Sequence, residues 1–189
     1  GAIKPLFGTN PISFAWPRPG KTPVVYDMAT ASMAMGEVQV AKREGHKVPL
    51  GTGLTKDGKE TTDPGEIADG GVLLPFGGYK GSAIAMMVEL LAGALTGSGV
   101  PTEPTDPTNR KVWNGMLSIF LSPDFFRSND GFAGDVRSFI DFVKSTVPDA
   151  NDNEVLIPGE KERLIMAERL ERGLPLPEKL WLGICEISD

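Results

Sequence analysis

Two glycine-and-lysine stretches carry the residue types that hold a phosphate. In PFGGYKG, Pro75 to Gly81, an apolar lead-in meets two glycines, one lysine and a run of small and apolar residues. Glycines allow close backbone approach, and a helix start presents N–H groups and a positive dipole end to an anion. The same residues suit a tight turn feeding a buried, wholly apolar helix, with Lys80 in solvent and Ser82 as the cap. Either use fits them. GLTKDGKE, Gly53 to Glu60, has Gly53, Gly58 and Lys59 at phosphate-loop spacing. Glu60, however, stands where a Ser or Thr would ligate magnesium, and no strand-to-helix context surrounds it, so KDGK reads as a turn. No G-x-G-x-x-G follows a predicted strand, which removes a standard Rossmann site.

Other candidates are weaker taken singly. DMAT, Asp27 to Thr30, lies where a strand gives way to a helix, a place from which side chains reach ligands. GTNP, Gly8 to Pro11, offers a hydroxyl and an amide before a proline, which serves a turn and can also grip a carboxylate. His46 is the only histidine and could act as acid or base near neutral pH, yet it sits among charges in the loop REGHKVP. One His and one Cys far apart make no metal-ligand spacing, so no metal is expected. Cys185, in LWLGICEI, reads as a packed apolar side chain.

The elements that must position these groups follow from pattern. ISFAW reads as a strand closed by PRPGKTP, and Val24 to Asp27 as a second strand. A helix is expected from Ala29 with Gly45 as its stop. Residues 50–71 show no period and read as a long loop with at most a short helix at Pro64 to Ala68. VPTEPTDPTNRK reads as a surface loop and GMLSIFLSP as a central strand. Phe132, Val136, Phe139, Ile140, Val143 and Val147 recur at spacings of three and four and define an amphipathic helix. IPGEKERLIMAERLERG gives a further helix ending at Gly173, and Pro177 opens a last one. Glu89, the one charge between Gly81 and Gly97, is exposed, paired, or part of a subunit contact. The scattered strands and helices make a mixed α and β architecture.

The 189 residues suffice for one sizeable domain or two small ones, with 40% hydrophobic residues to pack it. A net charge of −6 argues against nucleic-acid and anionic-membrane partners, which are bound through excess Lys and Arg. A single cysteine forms no internal disulfide, so a reducing, cytoplasmic setting is expected. No apolar run reaches the roughly 20 residues of a membrane span. The chain opens on Gly1, and Pro5 to Phe14 already reads as the interior of a fold, so a preceding segment is expected.

In this order and spacing, KPLFGTNPISFAWP, VVYDMATASMAMGEV, DGKETTDP and LLPFGGYKGSAIAMMVELLAGALTG resemble the malate/L-lactate dehydrogenase family of NAD(P)-dependent oxidoreductases. The wording is nearest to the reductases of Δ1-piperideine-2-carboxylate and Δ1-pyrroline-2-carboxylate. The resemblance is dense from Lys4 to Gly97 and is carried further by IPGEKER. It implies a non-Rossmann α/β fold, a mixed and largely antiparallel sheet flanked by helices that binds NADPH or NADH, and a homodimer acting on a small carboxylate substrate. Residues 1–150 would form the cofactor-binding sheet domain and 151–189 a helical segment packing back towards a preceding portion. By the same resemblance Thr9 contacts substrate. Asp27, Met28 and Ala29 line the cofactor site, Tyr79 and Lys80 hold the cofactor, and so do Pro158, Gly159, Glu160, Lys161 and Arg163. Glu37 supports the catalytic pair, standing where an Asp is expected. The catalytic serine and histidine and a substrate-binding arginine belong to the preceding portion, so the chain by itself is expected to turn over little. A non-catalytic binding or dimerisation module, and a phosphate-loop kinase or NTPase resting on GLTKDGKE, are the competing expectations.

Overall fold

The computed structural model describes residues 5–101, 114–126, 129–146 and 154–188. The chain divides into two compact units, one of Gly1–Phe14 with Asp27–Leu121 and the other of Ala15–Tyr26 with Ser122–Asp189. Strand β1 (Ile12–Arg18) and strand β2 (Lys21–Met28) form a two-stranded sheet. Only two residues join them, a length that permits antiparallel pairing alone, and Gly20 supplies the positive φ of 70° at the bend. β1 runs through Pro17, beyond the expected end of the strand, which a sheet of two edge strands tolerates.

In the first unit, helix α1 (Met35–Glu44) ends at Gly45, whose left-handed φ of 73° terminates it as the sequence predicts. The expected start at Ala29 is six residues early, because Thr30 to Ser32 are committed to sheet-like pairing with neighbouring loops. Residues 50–71 are more ordered than a loop. β3 (Gly53–Leu54) pairs antiparallel with β4 (Glu60–Thr61) and with β5 (Val72–Leu73), and helix α2 (Pro64–Ala68) falls where expected. Asp63 caps α2 by accepting from the Gly65 N–H at 2.7 Å. Val38 of α1, Val48 and Ile67 of α2 form the buried centre, with Met33, Met35, Ala41, Ala68 and Leu73 packed around it.

Helix α3 (Tyr79–Val88) continues as a π-helical segment, Glu89–Ala94. Its burial corrects the sequence reading: Met86, Met87, Leu90 and Leu91 are each about half exposed, so an apolar face is left open rather than wrapped. Residues 115–122 form no strand. A strand needs a ladder partner, none pairs with this segment among the described residues, and Met116, Ile119, Phe120 and Leu121 lie exposed.

In the second unit, helix α4 (Asn129–Lys144) buries Ile140 and sets Phe132 against Trp16 of β1, ring centroids 5.6 Å apart. Phe139, expected on the same face, is exposed; Val147 and residues 102–111 of the expected surface loop lie outside the described residues. Helix α5 (Glu160–Arg172) stops at Gly173 and helix α6 (Glu178–Ser188) starts after Pro177, both as predicted. The architecture is mixed α/β, with antiparallel sheets and six α-helices among the described residues. No described helix is long and apolar enough to cross a membrane.

Candidate functional site

The first unit brings together three stretches that are far apart in sequence. Just after β2, the Thr30 N–H and hydroxyl both donate to the Thr9 carbonyl, at 2.9 and 3.1 Å. On its other side the Thr30 carbonyl accepts from the Phe76 N–H at 3.0 Å, and the Ser32 N–H donates to the Leu74 carbonyl at 2.8 Å. An isolated antiparallel bridge joins Ala31 and Pro75. Thr52 closes the arrangement from β3's side, its carbonyl accepting from the Leu74 N–H and from the Ser32 hydroxyl. Thr30 is 2% exposed, so its polar atoms are satisfied by these partners rather than by water. The strand end DMAT is thereby stitched to GTNP on one side and PFGGYKG on the other. Thr9, Asp27 and Met28 are exposed around it, and Ala29 is half-buried.

PFGGYKG closes on itself. Gly77 and Gly78 take φ of 57° and 61°, the Lys80 N–H donates to the Gly77 carbonyl at 3.3 Å, and the Gly81 N–H to the Phe76 carbonyl at 3.1 Å. Gly81 has no space for a side chain: a Cβ there would collide with the Phe76 carbonyl. Gly78, not Ser82, occupies the cap position, and the Ser82 N–H already donates to the Gly78 carbonyl. The N–H groups of residues 80 to 82 therefore serve the turn and the helix. What the loop offers to a ligand at this point is side chains: Tyr79 is 80% exposed and Lys80 is exposed beside it. GLTKDGKE, by contrast, is the β3–β4 hairpin, with the Thr55 N–H donating to the Lys59 carbonyl and Gly58 at φ 78°. A β-hairpin cannot present the loop-to-helix cradle of a nucleoside triphosphate site, which removes the kinase reading.

Glu37 stands at the third residue of α1 and accepts from the Ala34 N–H at 3.2 Å. This is half of a capping box, since Ala34 has no side-chain oxygen with which to reciprocate. Glu37 lines an open groove of about 620 Å³ with Met33, Val40, His46 and Val48. His46 is exposed and lies 3.4 Å from the Glu44 carboxylate. Its presence in the groove beside Glu37 is not visible in the sequence, where it is only a loop residue.

Glu89, whose partner the sequence leaves undecided, accepts from Asn10 Nδ2 at 2.6 Å, and the same amide donates to the Ala85 carbonyl at 3.0 Å.

The second unit carries Pro158 to Arg163. The Val25 N–H of β2 donates to the Pro158 carbonyl at 3.2 Å, Gly159 takes φ 87°, and Arg163 Nη1 donates to the Pro23 carbonyl at 3.1 Å. Glu160 accepts from the Ile157 N–H at 3.0 Å and from Lys144 Nζ at 2.8 Å, and Lys144 also meets Glu154 at 3.2 Å. Burial pulls the Glu160 carboxyl upward, but these hydrogen bonds and the charges of Lys144 and Arg163 outweigh it and hold it below the usual range. Hydrogen bonding to Glu160 raises Lys144 in turn, against its own desolvation. The Glu160 carboxylate is thus committed to the protein itself, while Lys161 is exposed. The Asn10 amide grips a carboxylate, as GTNP allows, but the sequence does not show whose; Lys144 carries no local sequence signal. Among the described residues no three His, Cys, Asp or Glu side chains come together in a way that could hold a metal ion.

Residues 1–185 match the family described as malate/L-lactate dehydrogenase. The chain is 42% identical over 190 residues to a Δ1-pyrroline-2-carboxylate/Δ1-piperideine-2-carboxylate reductase of Pseudomonas putida, covering 99% of this chain and 54% of that protein. It is 37% identical over 191 residues to a malate/(S)-sulfolactate dehydrogenase of Methanothermus fervidus, covering 100% and 54%. Among solved structures, the Δ1-piperideine-2-carboxylate reductase of Pseudomonas syringae pathovar tomato superposes with a TM-score of 0.75 at 37% identity, over 98% of this chain and 55% of that one. The sulfolactate dehydrogenase of Methanocaldococcus jannaschii gives 0.76 at 34% identity, over 98% and 53%. The chain spans about half the length of these relatives.

Proposed function

The chain belongs to the malate/L-lactate dehydrogenase family, and on that premise we propose that the full-length protein is an NAD(P)H-dependent oxidoreductase. Its reaction is hydride transfer to the carbon beside a carboxylate, on a cyclic imino acid such as Δ1-piperideine-2-carboxylate or Δ1-pyrroline-2-carboxylate, or on a 2-oxo acid. Run in reverse, it would oxidise a 2-hydroxy acid such as malate or lactate. The observation that carries the reading is the convergence of GTNP, DMAT and PFGGYKG on Thr30. That convergence gathers the proposed substrate contact Thr9 and the proposed cofactor contacts Asp27, Met28, Ala29, Tyr79 and Lys80 in one unit.

The residues present suit a dinucleotide. Tyr79 offers an exposed aromatic face and Lys80 an exposed cation at adjacent positions, and nothing lies within 4 Å of where a side chain on Gly78 would project, so the loop is open there. A bound reduced nicotinamide supplies the hydride. This chain's own residues bind and orient. Lys80 neutralises phosphate charge, Thr9 directs a hydroxyl at the substrate, and Glu37 steadies the acid that quenches the charge developing on the reduced substrate, a step worth about 10²- to 10⁴-fold. In the second unit Lys161 and Arg163 carry the cationic side chains of the Pro158–Arg163 segment, and Glu160 shapes its turn. We read the protein as a cytoplasmic homodimer. The open apolar face of α3 and the single cysteine favour that reading, and sedimentation of the full-length protein tests the dimer.

The decisive experiment is a substrate panel on full-length protein with NADPH and with NADH, following absorbance of the reduced nicotinamide. A cyclic imino acid is expected to surpass pyruvate in kcat/KM. Absence of turnover with every cyclic imine and every 2-oxo acid, in either cofactor, would overturn the reading.

A further inference from the structure

Asn10 is the only described non-glycine residue with a positive φ, at 40°. Asparagine enters that region more readily than most residues, but Pro11 narrows its choices further. Such a conformation persists only where the surroundings over-determine it. Here the determinants are two hydrogen bonds from one side-chain amide: Asn10 Nδ2 donates to the Ala85 carbonyl at 3.0 Å and to Glu89 Oε2 at 2.6 Å. Glu89 is the single charge between Gly81 and Gly97. It is half-buried and stands at the residue where α3 widens into the π-helical segment. The Ala85 carbonyl also receives the Glu89 N–H, so the inserted amide shares an acceptor of the helical ladder at the point where the ladder changes register. Insertion into a ladder is a recognised cause of such irregularities, and π-helical turns gather at functional sites.

The residue before Asn10 is Thr9. Its carbonyl is held by both donors of the buried Thr30, and its side chain is exposed. Thr9 therefore stands between a fixed carbonyl behind it and a constrained dihedral ahead of it. We propose that Glu89 is a positioning residue for the substrate end of the site: by holding the Asn10 amide it keeps the strained GTNP turn in the one conformation that aims Thr9 at the substrate carboxylate. This rests on Thr9 being the substrate contact, as in the proposed function. Glu89 itself touches no substrate, and its effect falls on substrate rather than on dinucleotide: of the proposed dinucleotide contacts, Tyr79 and Lys80 sit at the opposite end of α3 from Glu89, and Asp27, Met28 and Ala29 precede Thr30, which is held independently by the Phe76 N–H.

The test uses the full-length protein. Glu89→Leu removes the acceptor yet suits an apolar helix, and it is expected to raise the KM for the imino or oxo acid about tenfold, with the dinucleotide KM within about twofold. Glu89→Gln keeps an acceptor oxygen and is expected to stay within about threefold of wild type. Asn10→Asp sets two carboxylates together and should match Glu89→Leu. Adding Glu89→Gln to Asn10→Asp restores one donor facing one acceptor with the polarity inverted, but leaves a carboxylate against the Ala85 carbonyl, so the substrate KM should recover in part, falling below that of Asn10→Asp alone. Melting temperatures of all four accompany the kinetics. A lowered melting temperature with an unchanged substrate KM, both KM values rising in parallel, or no recovery in the double variant would show a merely structural pair and overturn the inference. A wild type that turns over none of the panel substrates overturns the proposed function instead, and this inference with it.

Discussion

Lys80→Ala in the full-length protein separates a cofactor-binding loop from a turn. The backbone of PFGGYKG is closed by main-chain hydrogen bonds, from Lys80 N–H to the Gly77 carbonyl and from Gly81 N–H to the Phe76 carbonyl, and none of these needs the lysine side chain. Alanine is also the better helix former near a helix start, so folding stability should move by no more than about 0.5 kcal/mol. What is lost is an exposed ammonium able to meet a phosphate. Solvent screening limits an exposed ion pair to about 1 kcal/mol, and that corresponds to roughly fivefold in affinity. The N–H groups of residues 80 to 82 are already engaged, so they cannot take over the phosphate. The expected result is a dinucleotide KM raised about fivefold with kcat within about twofold, because binding is lost equally from ground and transition states. Lys80→Arg should keep most of the affinity, and the wild-type KM should climb with ionic strength more steeply than that of Lys80→Ala. Initial rates at saturating substrate, with NADPH and NADH compared, supply all of these numbers. A larger effect with NADPH assigns the lysine to the 2′-phosphate. An unchanged KM for both cofactors, or a fall in kcat alone, refutes the reasoning and leaves PFGGYKG as a turn.

The Glu160 cluster gives a pH signature. Its carboxyl is depressed in the folded state, so the stability it contributes is present above the ordinary carboxylate value of 4.5 and is lost as the pH falls through the depressed one. Thermal melts between neutral and acid pH should therefore lose stability more steeply in wild type than in Glu160→Gln, and parallel curves would disprove the linkage. Lys144, raised above 10.5, contributes in the opposite sense: its share is complete below that value and disappears as the pH rises through the elevated one. Gly81→Ala meets the Phe76 carbonyl, a main-chain atom that cannot swing aside. Opening the PFGGYKG turn to accommodate it should cost about 1–3 kcal/mol in denaturant titrations, with the dinucleotide KM rising alongside; a stability within error of wild type would show that the turn is looser than its hydrogen bonds imply.

What could be read from the sequence and what could not divides along the range of the interactions involved. Gly45, Gly173, Pro64 and Pro177 mark helix ends correctly because a left-handed stop or a proline at a helix start is settled within one turn of chain. KDGK is settled in the same local way, by Gly58. The segment 115–122 reads as a strand but forms none, because extended residues become a strand only on finding a partner, which composition does not reveal and which it lacks among the described residues. The resemblance nominates Thr9, Asp27 and Lys80, but the motifs of Thr9 and Lys80 serve as well for a turn, and DMAT, at a strand end, is weak taken singly. What joins the three ambiguous motifs is Thr30, an inconspicuous residue inside DMAT whose N–H, hydroxyl and carbonyl are all used to hold them together. Asn10 and Glu89, 79 positions apart, show the same limit more sharply. Taken singly, one is an amide in a turn and the other a lone charge with its partner undecided, and their contact accounts for the strained backbone beside Thr9. A search for further positioning residues in such a fold should therefore begin with isolated charges on apolar helices and with non-glycine residues at positive φ. There the cost of the local anomaly has to be met by a distant partner, and that partner identifies what is being held.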